Sequence, residues 1–248
     1  MFDLSRVSYQ RPLGKALRLP LRLVPPEAVV PVLQGPLRRA RWVAGSSNHG
    51  AWLGTYNKTF QRWLQAEARP GSVVYDLGAH VGFLTLLASR LVGPAGRVFA
   101  FEPNPRNLSY LRRHLELNRI ENVHIRASAV SDQQGTAKLD DRRGHLGGRL
   151  NKSGRIDVET VALDDLELPP PDCVKLNIEG AELRALKGAA RIIDDAQPTL
   201  LLATHGHEVR DGCLEFLDGL GYKTASFAPT PSAAPDHHNL LLIPSGGL

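Results

Sequence analysis

Apolar residues in the central part of the chain alternate between two spacings. Val73-Val74-Tyr75-Asp76-Leu77 is a short β-rich run, and residues 83 to 92 place apolar side chains at helical intervals. The pair repeats as a strand over 98 to 102 and a helix over 105 to 117, before a third strand at 123 to 127. Residues 132 to 160 break the rhythm with Gly135, Gly144, Gly147, Gly148 and Gly154 between short alternating runs, the pattern of an inserted hairpin or mobile loop. It then resumes with a strand at 173 to 177, a helix at 179 to 193, a strand at 199 to 203 and a helix at 213 to 220. Runs at 222 to 227 and 239 to 243 are joined by a proline-rich loop too short for a crossover helix, so they should pair antiparallel. Strands alternating with helices predict an α/β fold: a mostly parallel seven-stranded sheet, helices on both faces and a terminal antiparallel β-hairpin.

The first 70 residues read differently. Pro20, Pro25, Pro26, Pro31 and Pro36 cut residues 1 to 40 into pieces too short for long helices. Trp52, Leu53, Tyr56, Phe60, Trp63 and Leu64 then predict a single helix with one apolar face over 51 to 68. The expected organisation is a basic, proline-rich arm with an aromatic cap helix over 1–70, followed by a catalytic unit over 71–248. Charge sharpens the division. The net +5 and pI near 9.4 conceal +8 in residues 1 to 70, from eleven Lys and Arg against three Asp and Glu, and −3 in the remainder. Arg6, Arg11, Lys15, Arg18 and Arg22 among leucines could serve an anionic surface, a second copy of the chain or simple solvation. The apolar share of 42% indicates a globular chain, and the two cysteines, Cys173 and Cys213, point to a reducing, cytoplasmic setting. No apolar run is long enough to span a membrane.

Asp76-Leu77-Gly78-Ala79-His80-Val81-Gly82 lies where a strand gives way to a helix, and its glycines permit a sharp turn with a ligand close to the helix N-terminus. The dinucleotide pattern would need glycine at His80 and at Phe83, which disfavours NAD. Glu102, at the end of the second strand, is placed to accept both ribose hydroxyls of an adenosine.

The segments Val74 to Phe83, Phe99-Ala100-Phe101-Glu102-Pro103-Asn104-Pro105 and Val174-Lys175-Leu176-Asn177-Ile178-Glu179-Gly180-Ala181-Glu182 resemble the three main motifs of FkbM-type methyltransferases, in order and spacing, within a likeness over roughly residues 33 to 227. The resemblance implies a class I, Rossmann-like methyltransferase using S-adenosylmethionine and releasing S-adenosylhomocysteine. It implies that Asp76, Gly78, Ala79 and Gly82, with the turn residue His80, frame the methionine end of the cofactor, and that Thr85 lies near its carboxylate. Glu102 would hold the ribose, Asn104 would lie against the adenosine, and Ser128 and Ala129 would border the adenine. Asn177 would meet the cofactor at the catalytic edge. Three positions depart from the family pattern, each by loss of a carboxylate: Asn177 for Asp, Asn57 for Glu and Ala203 for Glu.

Methyl transfer to a hydroxyl requires alignment and removal of a proton. His205, after the fifth strand, is the candidate base, with Glu179 on the same edge and Asn177 beside it. With carboxylates missing at 177 and 203, no metal is expected. The function implied by the resemblance is O-methylation of a small-molecule hydroxyl on a sugar, polyketide or related metabolite. Two alternatives stay open: a nucleic-acid methyltransferase, which the basic leader suggests but the absent Asn/Asp-Pro-Pro-aromatic motif disfavours, and a cofactor-binding module without turnover.

Overall fold

The computed structural model describes residues 19–142, 148–225 and 239–245. Seven strands build the central sheet: β3 (Val73–Leu77), β4 (Arg97–Phe101), β5 (Val123–Arg126), β10 (Cys173–Leu176), β11 (Thr199–Ala203), β12 (Tyr222–Ala225) and β13 (Asn239–Pro244). Their order is β12-β13-β11-β10-β3-β4-β5, parallel from β11 through β5, with β13 antiparallel between β11 and β12. The expected sheet and terminal hairpin are both present. Residues 226 and 227, expected to end the first hairpin strand, lie outside the described residues.

Strand alternation sends Val74, Val98 and Ala100 to one face of this sheet and Tyr75, Leu77, Phe99 and Phe101 to the other. Against the first pack α2 (Lys58–Glu67), α3 (Phe83–Val92) and α4 (Pro105–Leu117); against the second, α5 (Glu182–Lys187), α6 (Ala190–Ala196) and α7 (His207–Gly219). Burial on both faces explains why the strands read as near-continuous apolar runs.

The segment before the sheet enters the first core. β1 (Val29–Pro31) pairs antiparallel with β2 (Arg41–Val43), and Trp42, Phe60 and Trp63 are fully buried there. Trp42 stacks on His114 of α4 with ring centroids 3.7 Å apart. The single helix expected over 51 to 68 is two, α1 (Gly50–Leu53) and α2, because Gly54 takes a left-handed conformation with its Cα pressed against the Gln34 carbonyl; a Cβ there would lie 1.9 Å from that oxygen. Arg6, Arg11, Lys15 and Arg18 lie outside the described residues.

Two further boundaries differ from expectation. The helix expected over 179 to 193 starts later and divides at Gly188, where a Cβ would meet the Ser131 carbonyl at 2.0 Å. Asp164 caps the second piece by accepting from the Arg191 and Ile192 amides, each at 2.9 Å. The helix expected over 213 to 220 begins earlier, at His207. The glycine-rich interruption holds the expected antiparallel pairing, β7 (Gly135–Asp140) with β8 (Arg149–Leu150), but as part of a larger sheet. These strands and β9 (Ile156–Val161) join β6 (Ser128–Val130) in a second sheet, ordered β6-β9-β7-β8. Gly144 and Gly147 lie outside the described residues.

Candidate functional site

The parallel register of β10 and β3 sets Lys175 opposite Asp76, where Nζ and Oδ1 lie 2.8 Å apart with both side chains buried. The same ammonium donates to the Gly78 carbonyl at 2.6 Å, and the Thr85 hydroxyl donates to Asp76 Oδ2 at 2.6 Å. Asp76 and Thr85 therefore brace the base of the turn. Gly78, His80 and Gly82 all have positive φ, which carries the chain from strand into α3, and the Gly78 and Ala79 amides both donate to the Phe101 carbonyl at 2.9 Å, tying the turn to the end of β4.

Glu102 closes the other side. Its carboxylate accepts from the His80 amide at 2.7 Å, the Asn104 amide at 2.9 Å and the Asn107 side chain at 3.2 Å. Burial raises the pKa of Glu102, while those donors and Lys175 oppose the rise. The turn and the acid thus form one hydrogen-bonded unit.

A cavity of about 280 Å³ opens over this unit, close to the roughly 300 Å³ lower end of small-ligand pockets. Of the predicted site residues, Gly78, Ala79, His80, Glu102, Ser128, Ala129, Asn177 and Glu179 line it. Asp76, Gly82, Thr85 and Asn104 stand behind its wall: Asp76 and Thr85 in the buried pair, Gly82 at the start of α3, and Asn104 capping α4 through the Arg106 amide. His205 lies outside the lining, next to Glu179, which belongs to it. Its Nδ1 is 2.8 Å from Oε1 of Glu182 and its Nε2 3.6 Å from Oε1 of Glu179. Burial pushes the Glu182 carboxyl up, but the bonds from His205 and the Gly180 amide outweigh it and hold the group below its ordinary range. Glu182 raises the pKa of His205.

Several lining residues were not assigned from sequence. Ser47, Asn48 and Tyr56 come from the segment before the sheet, and Leu139 and Leu150 from the second sheet, with Gly148 just before β8. Burial and the nearby Asp76, Glu179 and Glu102 carboxylates push the Tyr56 hydroxyl up to about 12, so it remains a neutral donor. Lys175, inside an apolar strand, also lines the cavity; a lysine flanked by Val174 and Leu176 was the available signal.

Adenosine with an amino-acid tail fits this arrangement of acceptors and apolar surface. The Asn177 Oδ1 is buried without a hydrogen-bond partner and borders the cavity, Glu102 is an acceptor at its edge, and Phe101, Val130 and Leu139 offer apolar contact. The profile of the methyltransferase FkbM domain matches residues 76–239. The chain belongs to the FkbM methyltransferase family. Its fold is the class I, Rossmann-like methyltransferase fold, and its cofactor is S-adenosylmethionine. Among curated proteins, the chain is 26% identical over 156 residues to hexuronic acid methyltransferase AglP of Haloferax volcanii, a match covering 60% of this chain and 63% of that one. It is 38% identical over 73 residues to the 31-O-demethyl-FK506 methyltransferase FkbM of Streptomyces tacrolimicus, over 29% of this chain and 27% of that one. The matches therefore span less than two thirds of either relative. The crystal structure of an FkbM methyltransferase from Methylobacillus flagellatus superposes with a TM-score of 0.50 at 18% identity, covering 78% of this chain and 52% of the other, and so shares the fold. Among the described residues no helix is long and apolar enough to cross a membrane.

Proposed function

We propose that this FkbM-family chain is an O-methyltransferase acting on a hydroxyl of a small molecule, a sugar, polyketide or related metabolite. The observation that carries the reading is that Glu102 and the turn residues Gly78, Ala79 and His80 border the same cavity as Asn177 and Glu179. One wall suits an adenosine and the other presents polar groups to an acceptor. The names of the two curated relatives, one for a hexuronic acid and one for a demethylated FK506, favour a sugar or polyketide acceptor.

Bound in this cavity, S-adenosylmethionine supplies a methyl group on a cationic sulfur. Glu102 would accept the ribose hydroxyls, and Ser128 and Ala129 would flank the adenine. The turn around Gly78, Ala79 and His80 would hold the methionine end, with Asn177 Oδ1 accepting from it. Asp76 and Thr85 act from behind, fixing the turn. Tyr56 and the second sheet exclude water and orient the acceptor, so that its oxygen lies in line with the transferred carbon. His205, beside Glu179, takes the hydroxyl proton. With Asn177 and Ala203 in place of carboxylates, no divalent cation is needed. We place the protein in the cytoplasm, on the strength of its two buried free thiols, and assign the leader to contact with a second copy rather than nucleic acid.

The test is methyl transfer from labelled S-adenosylmethionine to sugars, hydroxylated polyketides, RNA and DNA, with and without EDTA. Label in a hydroxyl compound, undiminished by the chelator, is expected. Label in nucleic acid alone, or in nothing, would sink the reading, and rescue of an EDTA-treated enzyme by magnesium would overturn the metal-free mechanism.

A further inference from the structure

The geometry points to Glu182 as a positioning residue that fixes His205 in the tautomer whose Nε2 is free to take a proton beside Glu179. This inference rests on the reading of the protein as a hydroxyl-methylating enzyme and assigns a role to a side chain outside the cavity.

Glu182 opens α5 and is fully buried. A buried carboxylate is tolerated only where donors meet it. Oε1 accepts from the Gly180 amide at 3.0 Å and sits 2.8 Å from His205 Nδ1, whereas Oε2 is buried without a hydrogen-bond partner. Ionised Glu182 accepts and cannot donate, so the short contact requires the proton on Nδ1. In the neutral ring, Nε2 then carries the lone pair. That nitrogen faces Oε1 of Glu179, which lines the cavity. The partner is thus a group with no access to substrate, while the histidine it holds stands one residue from the cavity.

The charged groups facing His205 are Glu182 on α5, Glu179 in the preceding turn and Arg149 on β8. Both carboxylates strengthen the ring as a base; burial and Arg149 oppose them. In the proton step the acceptor O–H bond breaks toward Nε2 and its electron pair stays on oxygen to form the new O–C bond, while the old S–C pair remains on sulfur. The imidazolium that results is stabilised by Glu182. It releases its proton to solvent through a side chain that is 34% exposed.

Histidine-detected ¹H–¹⁵N NMR on the whole protein, titrated with pH, tests the assignment without turnover. The expected neutral form of His205 carries hydrogen on Nδ1, with a midpoint above the ordinary value of about 6.5. A neutral ring protonated on Nε2 would overturn the proposal, and this measurement on the wild type needs no variant to fold. In Glu182→Gln the midpoint should fall, and the rising limb of the kcat profile should move down in pH with it. Plateau kcat should drop at least about tenfold, as when a histidine loses its orienting partner, with KM nearly constant. Glu182→Asp should recover part of the midpoint shift. A Glu182→Gln enzyme that is less stable yet keeps the wild-type midpoint and pH limb would reduce Glu182 to a packing role and defeat the assignment. Should no hydroxyl compound be methylated at all, the functional reading falls, while the tautomer still decides for or against the pair.

Discussion

Lys175 and Asp76 form an ion pair between neighbouring parallel strands, Nζ to Oδ1 at 2.8 Å, with both side chains buried beside the glycine turn. The lysine also donates to the Leu77 and Gly78 carbonyls, so it ties the end of β3 to β10 as well as neutralising the acid. Removing one partner of such a pair leaves the other buried and uncompensated. Lys175→Met is therefore expected to lower the unfolding free energy by about 3–5 kcal/mol. Urea denaturation at neutral pH measures it, and a loss below about 1 kcal/mol would show the pair to be wet.

Glu102 makes a different prediction because its role lies in binding. Glu102→Ala removes the acceptor assigned to the ribose and frees the His80 amide that Glu102 now holds. The affinity for S-adenosylhomocysteine should weaken by about 1.5–3 kcal/mol, as for hydrogen bonds to a charged group. Titration calorimetry reads this directly; unchanged affinity would move the ribose elsewhere.

His114 should give the protein an acid-sensitive stability. The ring is buried, its Nε2 accepts from the Val43 amide, and its Nδ1 meets the Val81 carbonyl at 2.8 Å. Burial lowers its pKa to about 4, the Val81 contact opposing the shift. The unfolded chain binds this proton near pH 6.5, whereas the folded chain resists it until about 4. Stability is thus complete above the unfolded value and declines as pH falls between the two, by about 3 kcal/mol in all. Urea midpoints from pH 7.5 to 4.5 should show the slope, and His114→Gln should flatten it. Equal slopes in both proteins would assign the acid sensitivity to other groups.

The leader should divide by function when truncated. Residues 29–68 contribute Trp42, Phe60 and Trp63 to the same core as β3 and α3. Deletion of residues 1 to 18 should leave the melting temperature and cofactor affinity almost unchanged. Deletion through Ala68 should abolish both folding and binding, and Trp42→Ala alone should cost about 3–5 kcal/mol. A stable, cofactor-binding chain that begins at Arg69 would refute this.

The elements legible in the sequence were those whose signal is local. The run from Val73 to Val92 announces a strand, a turn and a helix in succession, because the strand is buried on both faces and the turn needs glycine. The parts that were not legible depend on partners distant in the chain. Gly54 and Gly188 interrupt helical patterns because the Gln34 and Ser131 carbonyls lie against them. The second sheet depends on β9 pairing with both β6 and β7, a register that glycines between short runs do not disclose. Leu139, Gly148 and Leu150 were therefore missed as cavity walls. Lys175 lies in the third family-like motif, but its pairing with Asp76 appears only once β10 lies beside β3. His205 was readable as a candidate from its place after a strand; its clasp by Glu182 required the segment after β11 to meet the first turn of α5.

Gly78 and Asn177 touch through their backbones, close enough that a Cβ on Gly78 would lie 2.1 Å from the Asn177 carbonyl oxygen. Two stretches almost a hundred positions apart along the chain are thereby welded into one hinge-free edge. Enlarging position 78 would drive Asn177 outward like a wedge, and any drift of the loop at 177 would be felt at the turn. An engineer wishing to retune acceptor preference would do better to redraw the second sheet, whose strands reach the cavity from outside and can change shape while this seam stays shut.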